Sequence, residues 1–278
     1  METYIHDGLT FEVTDSGPPG GRVVIALHGF PEDRQCWSGL SAALNEAGYR
    51  VLAPDQRGYS PLARPPGRRS YTISHLDRDV LALADAAGVD RVDVVGHDWG
   101  GFVAWDLAAR YPERVRSVAS LSTPHPRAAG DAMLRSTQLL HSWYIGFFQL
   151  PWLPEQVFSR RHGEPGARAL ERAGLDRATA ERYAIRFATP GAMTGPINWY
   201  RALPLERRDQ TPNVGVRSLY VWSDGDRFLT RAAAERTAGY VTGPYRFEVL
   251  AGQNHWLPTN APDLIAPLLL AHLAAVDD

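Results

Sequence analysis

The sequence predicts an α/β fold, a mostly parallel central sheet flanked by helices, with a helical cap inserted into it. Three observations carry this reading. Strand-like apolar runs alternate with helical periodicity over the first 123 residues, which implies parallel strands joined by right-handed crossovers. A glycine-flanked turn, Gly96-His97-Asp98-Trp99-Gly100, joins one buried strand to a helix. From about Pro124 to Gln210 the pattern becomes helical and aromatic, with no convincing strand. The expected division is therefore core 1–123, cap 124–210 and core 211–278.

In chain order, Thr10–Thr14 and the almost wholly apolar Arg22–Leu27 read as strands, the second central in the sheet. Trp37–Ala47 has helical spacing and stops at Gly48. Tyr49–Ala53 reads as a buried strand, residues 59–70 as a loop, and Ile73–Ala87 as an amphipathic helix ending at Gly88. The strand leading to Gly96 follows, then a helix over about Gly101–Arg110 and a strand over Val115–Ser122. Beyond the insertion, Arg217–Trp222 and Tyr245–Leu250 resume the sheet, Ala232–Ala238 is helical, and Asp263–Val276 closes as an amphipathic helix.

Composition excludes several classes. The chain has 278 residues, 44% of them apolar and 22% charged, enough for one large core plus an inserted subdomain. Its formal charge of −2 gives no electrostatic case for nucleic acid or an anionic membrane, although every basic residue is Arg. The single cysteine, Cys36, excludes an intramolecular disulfide and offers no metal cluster. The start M-E-T-Y-I-H-D-G has neither the basic nor the apolar region of a secretory signal. Leu264–Val276, interrupted by Pro267 and His272, is too short to span a bilayer, so a cytoplasmic protein is expected.

In open α/β sheets, ligands sit beyond the carboxyl ends of the strands. His28–Glu32, Asp98, Ser223–Asp226 and Gly252–His255 all fall at such ends. The turn at Asp98 has the spacing of a nucleophile elbow, with Asp where Ser is usual. A carboxylate is already ionised at neutral pH, so no base is needed to activate it. It suits displacement at an sp³ carbon, which disfavours peptidase and ordinary esterase chemistry. Nucleophile, acid and His then follow in hydrolase order, with Asp224 and Asp226 both candidates for the acid and His255 for the base.

The chain resembles the α/β-hydrolase fold over its whole length, and within it the epoxide hydrolases and their dehalogenase relatives. The residues carrying the resemblance are H-G-F-P-E (28–32), D-Q-R-G-Y-S (55–60), G-H-D-W-G-G (96–101), N-W-Y-R (198–201) and G-Q-N-H-W (252–256). The family's W-G-x-x-D pattern favours Asp226 over Asp224, which then caps the turn, although Ser223 replaces the family Gly. Asn254 likewise replaces a Gly, at a position where Asn tolerates left-handed φ. The resemblance implies an oxyanion hole from the backbone N–H groups of Phe30 and Trp99, with His28 and the Asp55–Gly58 turn structural.

It also implies two cap tyrosines as proton donors, matched here by Tyr144 in H-S-W-Y-I-G-F-F and Tyr200 in N-W-Y-R, with Tyr183 a spare. The function implied is conversion of a small apolar epoxide and water to a vicinal diol. It proceeds through an ester on Asp98, hydrolysed by water that His255 and Asp226 activate, without metal or organic cofactor. Trp143, Phe147, Phe148 and Trp199, with Trp99 and Trp152, are expected to line an apolar pocket, and a homodimer is compatible with the sequence. A haloalkane or haloacid dehalogenase is the alternative. Phe30 stands where haloalkane enzymes carry Asn, Trp99 where haloacid enzymes carry Arg, and two phenols would have no role there. A non-catalytic binding protein of this fold would show a damaged triad, whereas this one is complete in order and spacing.

Overall fold

A computed structural model describes residues 1–206 and 211–275. The sheet has eight strands: β1 (Thr3–His6), β2 (Leu9–Ser16), β3 (Val23–Leu27), β4 (Arg50–Pro54), β5 (Val92–His97), β6 (Val115–Leu121), β7 (Arg217–Ser223) and β8 (Tyr245–Leu250). Their spatial order is β1-β2-β4-β3-β5-β6-β7-β8. β1 pairs antiparallel with β2 and β2 with β4; every other neighbouring pair is parallel.

The core helices are α1 (Ser38–Glu46), α2 (Ile73–Ala86), α3 (Trp99–Arg110), α11 (Arg231–Arg236), α12 (Leu257–Asn260) and α13 (Pro262–Ala274). Between β6 and β7 lie α4 (Pro126–Arg135), α5 (Gln138–His141), α6 (Trp143–Phe148), α7 (Leu153–Ser159), α8 (Glu164–Arg172), α9 (Arg177–Ala188) and α10 (Thr194–Ala202). The described residues from 124 to 206 contain no strand. The expected end of the insertion, residues 207–210, and Val276 of the last helix lie outside the described residues.

Every residue of β3 and β5 is buried, because parallel central strands are covered on both faces. Two apolar clusters form the two layers. Ile25, Val94 and Val118 pack with Val80, Val103 and Leu107 of α2 and α3; Val24, Val95 and Leu219 pack with Leu40, Leu44, Ile265 and Leu269 of α1 and α13. Alternation along each strand sends successive side chains to opposite layers, which fixes the register. Both clusters hold the carboxyl ends of β3, β5, β6, β7 and β8 on one edge, where the cap sits.

β1 is absent from the sequence reading. It forms a hairpin with β2 through Asp7-Gly8, both at positive φ (51° and 72°), as a tight two-residue hairpin turn requires. The remaining strand and helix boundaries agree with the sequence reading to within two residues, apart from two ends. Trp37 opens the expected Trp37–Ala47 segment as the end of a 3₁₀ turn, Arg34–Trp37, and Thr237–Tyr240 continues α11 as a 3₁₀ turn.

Candidate active site

The turn between β5 and α3 holds Asp98 at φ 50°, ψ −120°, a backbone conformation that side-chain-bearing residues rarely adopt. The neighbouring packing requires it. A Cβ on Gly100 would meet the carbonyl oxygen of Leu27 at 2.1 Å, and one on Gly29 would meet Asp98 Cβ at 2.3 Å. The turn is braced by Thr123, whose hydroxyl donates to the Asp98 carbonyl at 2.8 Å. Strain here is held by close contacts on three sides.

The Phe30 N–H donates to Asp98 Oδ1 at 2.8 Å, and His255 Nε2 lies 3.5 Å from Asp98 Oδ2. On its other side, His255 Nδ1 lies 2.8 Å from Asp226 Oδ2. Asp226 Oδ1 accepts the N–H groups of Phe228 (2.7 Å) and Leu229 (3.0 Å), which fixes the carboxylate plane. Asp224 accepts the Gly252 N–H at 2.7 Å and does not reach the imidazole. Trp99 opens α3, where first-turn N–H groups have no acceptor within the helix.

Electrostatics follow from this geometry. Burial works to raise the Asp98 carboxyl, but the adjoining imidazole of His255 outweighs it and holds Asp98 below the ordinary carboxylate range. Burial works to lower His255, and the carboxylates of Asp226 and Asp98 overcome it, raising the imidazole to about 10. Both shifts favour a charged imidazole beside an ionised Asp98.

Tyr144 and Tyr200 come together over the elbow, their rings edge-to-face with centroids 6.0 Å apart. Tyr200 packs edge-on against Trp99 (5.0 Å) and Phe30 (5.3 Å) and near Phe148 (4.7 Å). Tyr144 packs against Phe148 and Phe228, and Phe228 lies edge-on to His255 at 4.8 Å. Burial, followed by the negative charge of Asp98, raises both phenols. They remain protonated at neutral pH and available to donate. Tyr183 is elsewhere, packed with Leu170, Leu175, Ala180 and Trp256.

Several expectations are corrected. Trp143 and Trp152 are 69% and 62% exposed, so neither indole walls an enclosed pocket. Trp143 stacks loosely outside Phe147, with ring centroids 6.4 Å apart. Trp199 is buried behind Trp99, and its indole N–H donates to the Arg57 carbonyl at 2.8 Å, seating the cap on the core. Left-handed backbone in the His loop falls at Gly252 (φ 71°) and not at Asn254. Asn254 instead donates to the Gly174 carbonyl of the cap at 2.9 Å and accepts from the Trp256 N–H at 3.0 Å.

The His28 and Asp55–Gly58 motifs are structural. His28 Nδ1 lies 2.9 Å from the Gly29 carbonyl, while Nε2 accepts the Gln56 N–H at 3.2 Å; burial lowers this imidazole, which is neutral. Arg57 forms a two-pronged pair with Asp79, both contacts 2.7 Å. Asp55 binds Arg34 and the cap residue Arg186 (2.8 Å), and Arg182 and Arg186 reach Asp33. These ion pairs dock α9 onto the loops after β3 and β4.

One buried pair escaped the sequence reading. His97 Nδ1 lies 2.6 Å from Glu32 Oε2, and Nε2 lies 2.8 Å from the His255 carbonyl oxygen. His97 thus bridges the Glu32 carboxyl group and the His255 backbone. Burial works to raise Glu32, and the charge of His97 overcomes it. Both residues stand inside quoted motifs, at the end of H-G-F-P-E and just before Asp98, but nothing in their spacing pairs them. Phe187 and Phe228, which also pack at the site, had no motif signal.

Comparison with known proteins agrees with this geometry. Residues 22–262 match the family described as alpha/beta hydrolase fold. The chain is 35% identical to human epoxide hydrolase 4, over 96% of its own length and 76% of that protein's. It is 32% identical to epoxide hydrolase A of Mycobacterium tuberculosis (strain ATCC 25618 / H37Rv), over 98% of this chain and 96% of that one. Among solved structures it superposes on epoxide hydrolase A from Mycobacterium thermoresistibile with a TM-score of 0.81 at 28% identity, covering 98% and 97% of the two chains. The chain belongs to the alpha/beta-hydrolase-fold family of epoxide hydrolases, and it is a hydrolase.

Proposed function

We propose that the protein hydrolyses a small apolar epoxide to a vicinal diol through an ester on Asp98. The observation that carries the reading is the position of Asp98: one oxygen on the Phe30 N–H, the other facing His255, under the rings of Tyr144 and Tyr200.

Asp98 Oδ2 attacks an oxirane carbon and the carbon–oxygen bond breaks. Tyr144 and Tyr200 hydrogen-bond the oxygen, and one phenol gives it a proton. Before this step His255 is an imidazolium between two carboxylates and cannot act as a base. Ester formation removes the charge on Asp98 and with it one of the two groups that raise His255. The imidazolium then gives up its proton more readily, returning it by way of solvent to the phenolate left by the first step, and, once neutral, takes one from a water aimed at the ester carbonyl carbon. Asp226 keeps the imidazole oriented.

The tetrahedral oxyanion forms on Oδ1, where the Phe30 N–H already points and the Trp99 N–H is a second donor; losing one such donor costs about 3 kcal/mol. Collapse breaks the ester bond. Of the two water protons, one restores the imidazolium and one ends on the released alcohol oxygen. Phe30, Phe148, Phe147 and Phe228 give the substrate an apolar, aromatic surround.

The test is a single turnover with excess enzyme in ¹⁸O-water. One heavy oxygen is expected in the Asp98 carboxylate after hydrolysis; an unlabelled Asp98 with labelled diol overturns covalent catalysis. Chloride or bromide release from simple haloalkanes, without turnover of epoxides, would transfer the same ester chemistry to dehalogenation.

A further inference from the structure

We infer that Gln138, a buried glutamine of the cap, is a positioning residue that holds Tyr144 and the Asp226 loop at a fixed separation. Gln138 is 1% exposed, and its amide uses all four of its hydrogen-bonding capacities. Nε2 donates to the Phe228 carbonyl at 2.7 Å and to the Ser142 hydroxyl at 3.0 Å. Oε1 accepts the Thr230 N–H at 2.9 Å and the Thr230 hydroxyl at 3.0 Å. Only one orientation of the amide meets both a carbonyl and an N–H, so the loop dictates which way it faces. An apolar side chain of the same size would leave the Phe228 carbonyl and the Thr230 N–H buried without partners.

The four bonds run to two segments of the site. On one side, Ser142 stands between α5 and α6, and Tyr144 follows two residues later. On the other, residues 227–230 form the arch that closes on Asp226, whose Oδ1 takes the N–H groups of Phe228 and Leu229. The carbonyls of this arch are held as well. His141 Nδ1 lies 2.8 Å from that of Arg227, Gln138 takes that of Phe228, and the Trp222 indole donates to that of Leu229 at 2.9 Å. The cap helix α5 thus grips two successive carbonyls of the arch, while β7 holds the third. The rings repeat the connection: Tyr144 lies edge-on to Phe228 at 5.7 Å, and Phe228 edge-on to His255 at 4.8 Å. Burial works to lower His255, and Asp226 is the foremost group raising it, ahead of Asp98. The His97 ring lies 4.8 Å from His255, and the Arg227 guanidinium binds the Arg172 carbonyl. Drift of the arch would therefore weaken the chief support of the imidazolium. Its bearing on catalysis rests on the epoxide reading, in which Tyr144 gives a proton and Asp226 orients His255.

Titration of His255, followed by NMR without substrate, tests the link apart from that reading. Gln138→Leu should lower the His255 midpoint by about one pH unit. Ser142→Ala, which parts only the bond toward Tyr144, should leave the midpoint in place. Single turnovers with styrene oxide then divide the effect. Ser142→Ala should slow ester formation about fivefold and spare ester hydrolysis, while Gln138→Leu should slow both about tenfold. Circular dichroism shows whether each variant folds. Should Gln138→Leu not fold, Thr230→Val removes one bond on the acid side and should lower the midpoint by about half as much. An unmoved His255 midpoint in the folded variant overturns the proposal. A parent that forms no ester with styrene oxide overturns the epoxide reading instead, and the midpoint still decides the role of Gln138.

Discussion

His97, the residue before Asp98, holds the backbone of His255: its Nε2 lies 2.8 Å from the His255 carbonyl oxygen. Ser122 donates its hydroxyl to the same oxygen at 2.7 Å. Two donors from two strand ends therefore fix the peptide that carries the imidazole, while Glu32 fixes His97. Elbow and His loop are one assembly, tied beneath the site by groups that need not touch a substrate.

Breaking that tie should cost stability before chemistry. Glu32→Gln breaks the buried contact between Glu32 and His97, and removing one partner of a buried pair costs about 3–5 kcal/mol. Chemical denaturation should show the loss. A variant as stable as the parent would mean that the Glu32–His97 contact does not hold the two loops together.

Asp226→Asn should separate the two half-reactions. The amide can still touch His255 but cannot stabilise an imidazolium, and the analogous change in serine-protease triads costs about 10⁴-fold in kcat. Intact-protein mass spectrometry of a quenched reaction should show the alkylated enzyme accumulating. Equal loss of ester formation would contradict the assigned order of steps.

Tyr144→Phe and Tyr200→Phe each remove one phenol and leave the ring packing. Ester formation should slow by roughly 10²-fold for each, and further for the pair, because one phenol can partly replace the other. Stopped-flow tryptophan fluorescence reads that step directly. An unchanged rate in both single variants would remove the phenols from the mechanism.

The pH dependence follows from the site's charges. His255 is raised from 6.5 to about 10 in the folded chain, so its stabilising contribution is complete below pH 6.5 and is lost as pH rises toward 10. Asp98→Asn removes one of the two raising carboxylates, so the alkaline loss should begin at the same pH, end at a lower one and be smaller in total. Melting temperatures of the two proteins from pH 6 to 10 check this; superimposable profiles would show that Asp98 does not hold the proton on His255.

Much of this architecture was readable because local pattern and global fold agree. β3 and β5 are apolar throughout since both faces are covered, and Gly96, Gly100 and Gly101 mark a turn that close packing demands. β1 was missed although Asp7-Gly8 is a strong hairpin signal, because four residues are too few to establish alternation. Spacing alone left Asp224 and Asp226 both open and only the family pattern favoured Asp226; two residues in one turn differ in which way the turn points them, and Asp226 faces His255. The aromatics of the cap were the least legible. An apolar ring in a helix reads alike whether it faces a site (Phe148), a neighbouring indole (Trp199) or water (Trp143).

The hydrogen bonds from Asn254 and Asn260 to the Gly174 carbonyl have a bearing on timing. They run between the cap and the segment that bears His255. Any movement that lifts Gly174 away from the sheet to widen the entrance must part them, loosening the residue next to the base. A wider entrance and a firmly held His255 thus make opposite demands on one contact.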